Sequence, residues 1–169
     1  AIAAKVVYFP LFDREHIGYS ADRLIEKYSY RINSEAQKII ISLSGGHVGL
    51  LRFLLRLADG QGKLTGEKLA VQALSNQEIQ LRFREVWQSF TEEEQRALLL
   101  IVQDEQVKKL PPRLKEARLV VNSSGKWSIN LLLLERWLER MVKEGRLFLG
   151  TLKLEDNELF LEGRSVQHC

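Results

Sequence analysis

Apolar residues recur every three or four positions along most of this chain, and polar or glycine-bearing stretches break the rhythm at short intervals. The pattern predicts short amphipathic helices joined by tight turns. Asp13 caps the first, which lays Ile17, Ala21, Leu24, Ile25 and Tyr28 along one stripe. Asn33 or Ser34 caps the second, whose stripe is Ala36, Ile39, Ile40 and Leu43, and Ser44-Gly45-Gly46 stops it. The third turns Leu50, Leu51, Leu54, Leu55 and Ala58 inward and Arg52 and Arg56, one turn apart, outward, until Gly60-Gln61-Gly62. Thr65 opens a fourth that holds Leu69, Ala70, Ala73 and Leu74. Ahead of them all, the β-branched and aromatic run Val6-Val7-Tyr8-Phe9 ends at Pro10 and predicts a short buried strand.

The second half changes period. Ile79, Phe83, Val86, Trp87 and Phe90 keep helical spacing, and Thr91 with Glu94 three residues later is a capping box that starts a new helix. That helix carries Ala97, Leu98, Ile101 and Val102 and loses its pattern near Gln106. Pro111 or Pro112 opens a short helix through Leu114 and Ala117. Leu119-Val120-Val121 and Lys126-Trp127-Ser128-Ile129 then flank Asn122-Ser123-Ser124-Gly125, which predicts a hairpin closed by a four-residue turn. A helix from Leu131 to about Val142 turns Leu134, Trp137, Leu138 and Met141 inward. Helix, helix, hairpin, helix is a winged-helix-like order. Past Leu147 the alternation has period two, through Leu152 and Leu154 and back through Leu159 and Leu161, so a second hairpin is expected. The expected class is mainly α with small β: a helical domain over 1–75, a winged-helix-like domain over 76–145 and a β-hairpin over 146–169.

Composition narrows the chemistry. With 45% hydrophobic and 28% charged residues the chain is expected to fold as a soluble globular protein, placed in the cytoplasm, and no apolar run approaches a membrane span. A net charge of +3 is too small to indicate nucleic acid, so only a local cluster could do so. One such cluster is Lys108, Lys109, Arg113, Lys115 and Arg118, with Glu116 alone opposing it and Lys126 on the expected wing; these are the candidate DNA contacts. Catalytic chemistry finds little footing. There is no Gly-x-x-x-x-Gly-Lys-Ser/Thr loop for phosphates, and His16, His47 and His168 lack partners at metal-ligand spacing, so neither a catalytic residue nor a metal site is expected. His168 and the single Cys169 are adjacent, but a catalytic pair needs a held geometry and chain ends fray.

The most informative string is Ser44-Gly45-Gly46-His47-Val48-Gly49-Leu50-Leu51. Two glycines allow a sharp bend, and the helix that follows presents amides at its start, where an anion is favoured. The whole order, Val6-Val7-Tyr8-Phe9-Pro10-Leu11, two helices, then Ser-Gly-Gly-His and a leucine-rich helix, resembles the helical lid of AAA+-like STAND signalling ATPases. There the motif is usually Gly-Gly-His-Pro followed by Gly-Leu-Leu and lies close to bound nucleotide; Val48 stands where the proline would be. Arg84 to Gln95, the wing Lys126 to Ile129 and the helix Leu131 to Trp137 look like the winged-helix domain that follows such a lid. The last hairpin, closing on Glu162-Gly163-Arg164-Ser165-Val166, is similar to the opening strands of response-regulator-type winged-helix transcription domains. The resemblance implies a non-catalytic regulatory segment of a larger protein. Gly45, Gly46 and His47 would sit near the nucleotide, ATP or ADP with magnesium would belong to an upstream nucleotide-binding domain of the same parent chain, and DNA or a second copy, pairing through terminal strands, would be the further partners.

Overall fold

Side chains that accept backbone amides start most of the helices. Asp13 takes the amide of His16 at 2.8 Å and opens α1, Arg14–Tyr28. Asn33 takes that of Ala36, also at 2.8 Å, and opens α2, Ser34–Ser44. α3 spans Val48–Ala58, and Thr65 caps α4, Gly66–Leu74. Asn76 accepts the amide of Glu78 at the head of α5, Gln77–Ser89. The capping box is formed in both directions at α6, Glu92–Val102: Thr91 Oγ1 accepts from Glu94, and the Thr91 amide donates to Glu94 Oε1 at 2.8 Å. Pro111 precedes the single-turn α7, Pro112–Glu116, and the last helix is α8, Leu132–Lys143. The computed structural model describes residues 11–146 together with the backbone of 152–155 and 158–161; the expected strand at Val6–Phe9, the Glu162–Val166 stretch and the His168–Cys169 pair lie outside the described residues.

The molecule is mainly helical with small antiparallel β-structure. It divides into two compact units, one of Leu11–Gln80 with Leu131–Leu133, the other, among the described residues, of Leu81–Asn130 and the chain from Leu134 onward. In the first unit α3 is central, with α1, α2 and α4 all packed on it. Ile17, Ala21, Ile40, Leu51, Leu54, Leu55 and Leu69 are its dry core. In the second, α6 packs on strand β2, Lys126–Ile129, and α7 on β1, Val120–Ser123. Trp87, Leu98, Leu114, Ile129, Trp137 and Leu138 are fully buried there, and the Phe83 and Trp137 rings meet at 5.8 Å.

Three expectations need correcting. The wing is closed by two residues, not four: Ser123 pairs with Lys126, leaving only Ser124 and Gly125, both at positive φ (54° and 81°). That is the primed turn whose twist suits a two-residue hairpin, and Asn122 and Ser123 join the strand because their backbones pair while their side chains stay in solvent. α6 ends at Val102, short of Gln106, because Asp104 adopts φ 62° and the amides of Asp104 and Glu105 turn back to Ile101 and Leu100. Tyr28, expected on the buried stripe, is 54% exposed, since the last turn of α1 runs past the core. The second hairpin forms from β3, Leu152–Glu155, and β4, Glu158–Leu161, in antiparallel register with Leu152 opposite Leu161 and Glu155 opposite Glu158.

Candidate functional site

The corner between α2 and α3 gathers Gly45, Gly46 and His47. Gly45 is the left-handed cap of α2 at φ 55°, and Gly46 follows at φ 85°. A second piece of chain closes over this bend: the Phe12 amide donates to the Gly46 carbonyl at 2.9 Å. A Cβ on Gly46 would overlap the Phe12 carbonyl oxygen, so glycine is required for approach as well as for backbone angle. His47 then caps α3, its Nδ1 accepting the Leu50 amide at 3.1 Å. A ring nitrogen that accepts must be unprotonated, so this cap needs the neutral imidazole. The imidazole also lies against Gly49, where a Cβ would stand 2.9 Å from its Cε1. One of the amides expected to be open to an anion is therefore occupied by the protein's own histidine.

The basic residues expected to meet DNA are spread over the second unit. Lys108 and Lys109 lie in the loop after α6, Arg113 and Lys115 on α7, Arg118 just beyond it and Lys126 at the start of β2. Arg113 and Lys126 face carboxylates. Arg113 Nε is 3.6 Å from Glu94 Oε2, which is 2% exposed, so the guanidinium answers the buried acid of the capping box and ties α7 to the head of α6. Lys126 pairs with Asp104. Lys108, Lys109 and Lys115 make no ion pair among the described residues. Lys108 and Lys109 rim a groove of about 540 Å³ that also takes in Arg96, Leu100, Pro111 and Pro112. α7 offers only five residues, far less than the helix a major groove accepts from a reading domain.

No family model, no curated protein and no solved structure matches this chain. Among the described residues there is no grouping of three or more His, Cys, Asp or Glu side chains able to hold a metal, and no helix is long and apolar enough to cross a membrane. At Glu135 on α8 burial pushes the carboxyl up, Glu139 reinforces the effect and Arg136 opposes it.

A second groove, about 380 Å³, was not anticipated. Leu24, Tyr28, Tyr30, Arg52, Leu55 and Arg56 line it, all within the helical unit. The Tyr28 and Tyr30 rings stack at 5.6 Å with 30° between their planes, and Lys27 Nζ is 5.2 Å from the Tyr28 centroid. The sequence did carry half of this signal in the outward arginines one turn apart. The other half was hidden because Tyr28 falls in register with the buried stripe.

Proposed function

We propose that this chain is a non-catalytic regulatory arm of a cytoplasmic STAND-type ATPase and transcription regulator, in which a helical lid and a winged-helix-like domain couple nucleotide state to contacts between domains or with a partner. The closed corner at Gly45–His47 carries the reading. Phe12, at the entry to the helical unit, is hydrogen-bonded to Gly46 backbone to backbone, with no side chain between to absorb movement. A displacement of the entering chain is thus felt directly at the junction of α2 with the central helix α3, which is the kind of packed, contiguous connection that coupling requires. The order α6, α7, β1, β2, α8 in the second unit supports the winged-helix half of the proposal.

ATP or ADP with magnesium belongs, in this reading, to an upstream domain that supplies the phosphate loop. Isothermal titration and phosphate-release assays test it. The chain alone is expected neither to bind ATP at micromolar concentration nor to hydrolyse it, whereas the longer protein does both; turnover by the chain alone overturns the proposal. Lys108, Lys109 and Lys115, exposed and without ion pairs among the described residues, favour a second reading, in which the wing side binds duplex DNA. Anisotropy titrations with labelled duplex over a salt series decide that point, and absence of binding at low salt ends it.

A further inference from the structure

The end of the helical unit where α1 finishes and α3 closes carries an aromatic and cationic face that the regulatory reading does not use. Tyr28 leaves 54% of its surface open beside Tyr30, although burying aromatic area is among the largest gains a fold can make. Arg52 and Arg56 stand one turn apart on the exposed side of α3, and among the described residues neither has a carboxylate within ion-pair distance. Leu24 and the buried Leu55 complete the lining of the groove. Lys27 holds its ammonium over the Tyr28 ring on a flexible stem that can swing aside to a phosphate, and the Arg31 guanidinium lies over Gly60, just past the end of α3. The opposing charge is small. Asp59 already accepts the Arg31 amide at 2.7 Å, and Glu26, two residues from both Leu24 and Tyr28, projects from the other side of α1.

We propose that this groove binds single-stranded nucleic acid, with a base stacked against the Tyr28–Tyr30 pair and the adjoining phosphates held by Arg52 and Arg56. A ligand that alternates planar rings with phosphates uses both halves of the groove, and guanidinium forks match phosphate oxygens in a way a point charge cannot. An acidic or phosphorylated peptide would engage the arginines and leave the tyrosines idle. A duplex keeps its base faces stacked inside and could not reach them. The groove is separate in residues from the wing-side lysines, so it stands or falls independently of the duplex-binding reading.

Fluorescence anisotropy of this chain with a labelled oligothymidylate of about twelve nucleotides is the test, run from about 50 to 200 mM salt. Saturable binding that weakens as salt rises is expected. Arg52→Glu/Arg56→Glu and the milder Arg52→Gln/Arg56→Gln should each weaken it at least about tenfold, and Tyr28→Ala about fivefold or more. Lys108→Glu/Lys109→Glu should leave it unchanged. Circular dichroism spectra matching the parent chain establish that these surface variants fold. No binding at low salt, or binding indifferent to the arginines, overturns the proposal. Loss with the arginine variants but none with Tyr28→Ala also overturns it, because the ligand would then be recognised by its anionic group alone.

Discussion

At Gly46 two requirements coincide, a backbone at φ 85° and a carbonyl oxygen of Phe12 where a Cβ would lie. Gly62 separates them: its φ is 71°, yet nothing lies within 4 Å of the Cβ site. Gly62→Ala should therefore cost only the left-handed penalty, about 1 kcal/mol, whereas Gly46→Ala adds a backbone clash and should cost about 3 kcal/mol in urea unfolding. Equal losses would show that the Phe12 contact contributes nothing. Glu135 gives a prediction of a different kind. Its folded carboxyl holds a proton more tightly than the ordinary 4.5, so the folded state binds more protons than the unfolded one and stability falls as pH rises above that value. Glu135→Gln removes the titrating group. The stability of the variant relative to the parent chain should grow as pH rises above 4.5, and a flat or declining difference in urea midpoints across that rise would rule out the burial effect.

Among the elements, helix ends decide where the sequence could and could not be followed. α1, α6 and α7 all stop on a residue in the left-handed region that is not glycine: Ser29 at φ 53°, Asp104 at 62° and Arg118 at 62°. In each case the next amide reaches back five residues, Tyr30 to Ile25, Glu105 to Leu100 and Leu119 to Leu114. Ser29→Gly should stabilise the chain by about 0.5–1 kcal/mol, seen as a higher thermal midpoint, because glycine enters this conformation without the Cβ penalty. The starts were legible, since Asp13, Asn33, Thr65 and Thr91 announce themselves by chemistry that acts within three residues. Gly45 likewise announces the end of α2, but the three stops on Ser29, Asp104 and Arg118 were not legible, because a left-handed angle falls there on residues that do not advertise it. At the wing, polar Asn122 and Ser123 look like turn, and only strand pairing confines the bend to Ser124 and Gly125. At the candidate corner, the diglycine bend was evident, but its closure by Phe12, distant in sequence, and the capping role of His47 were not, as histidine is an uncommon cap.

On the scale of the whole molecule, each of the two units owns a core, and a unit with its own core can lose it alone. Trp87, Trp127 and Trp137 all belong to the unit that contains the wing, and Leu11–Gln80 holds no tryptophan. Tryptophan emission therefore follows one unit, while far-ultraviolet circular dichroism weights both. Leu54 is fully buried at the centre of the tryptophan-free unit, so Leu54→Ala should remove about 2–5 kcal/mol there. The expected result is a dichroism transition that splits, its early part moving to lower urea, with the emission midpoint unmoved. Leu98→Ala, in the other core, should shift the emission midpoint instead. If either substitution moves both signals together, the chain unfolds as a single cooperative body, and a perturbation entering at Phe12 and Gly46 would then reach the wing through the fold itself rather than through a change of contacts between independently stable parts.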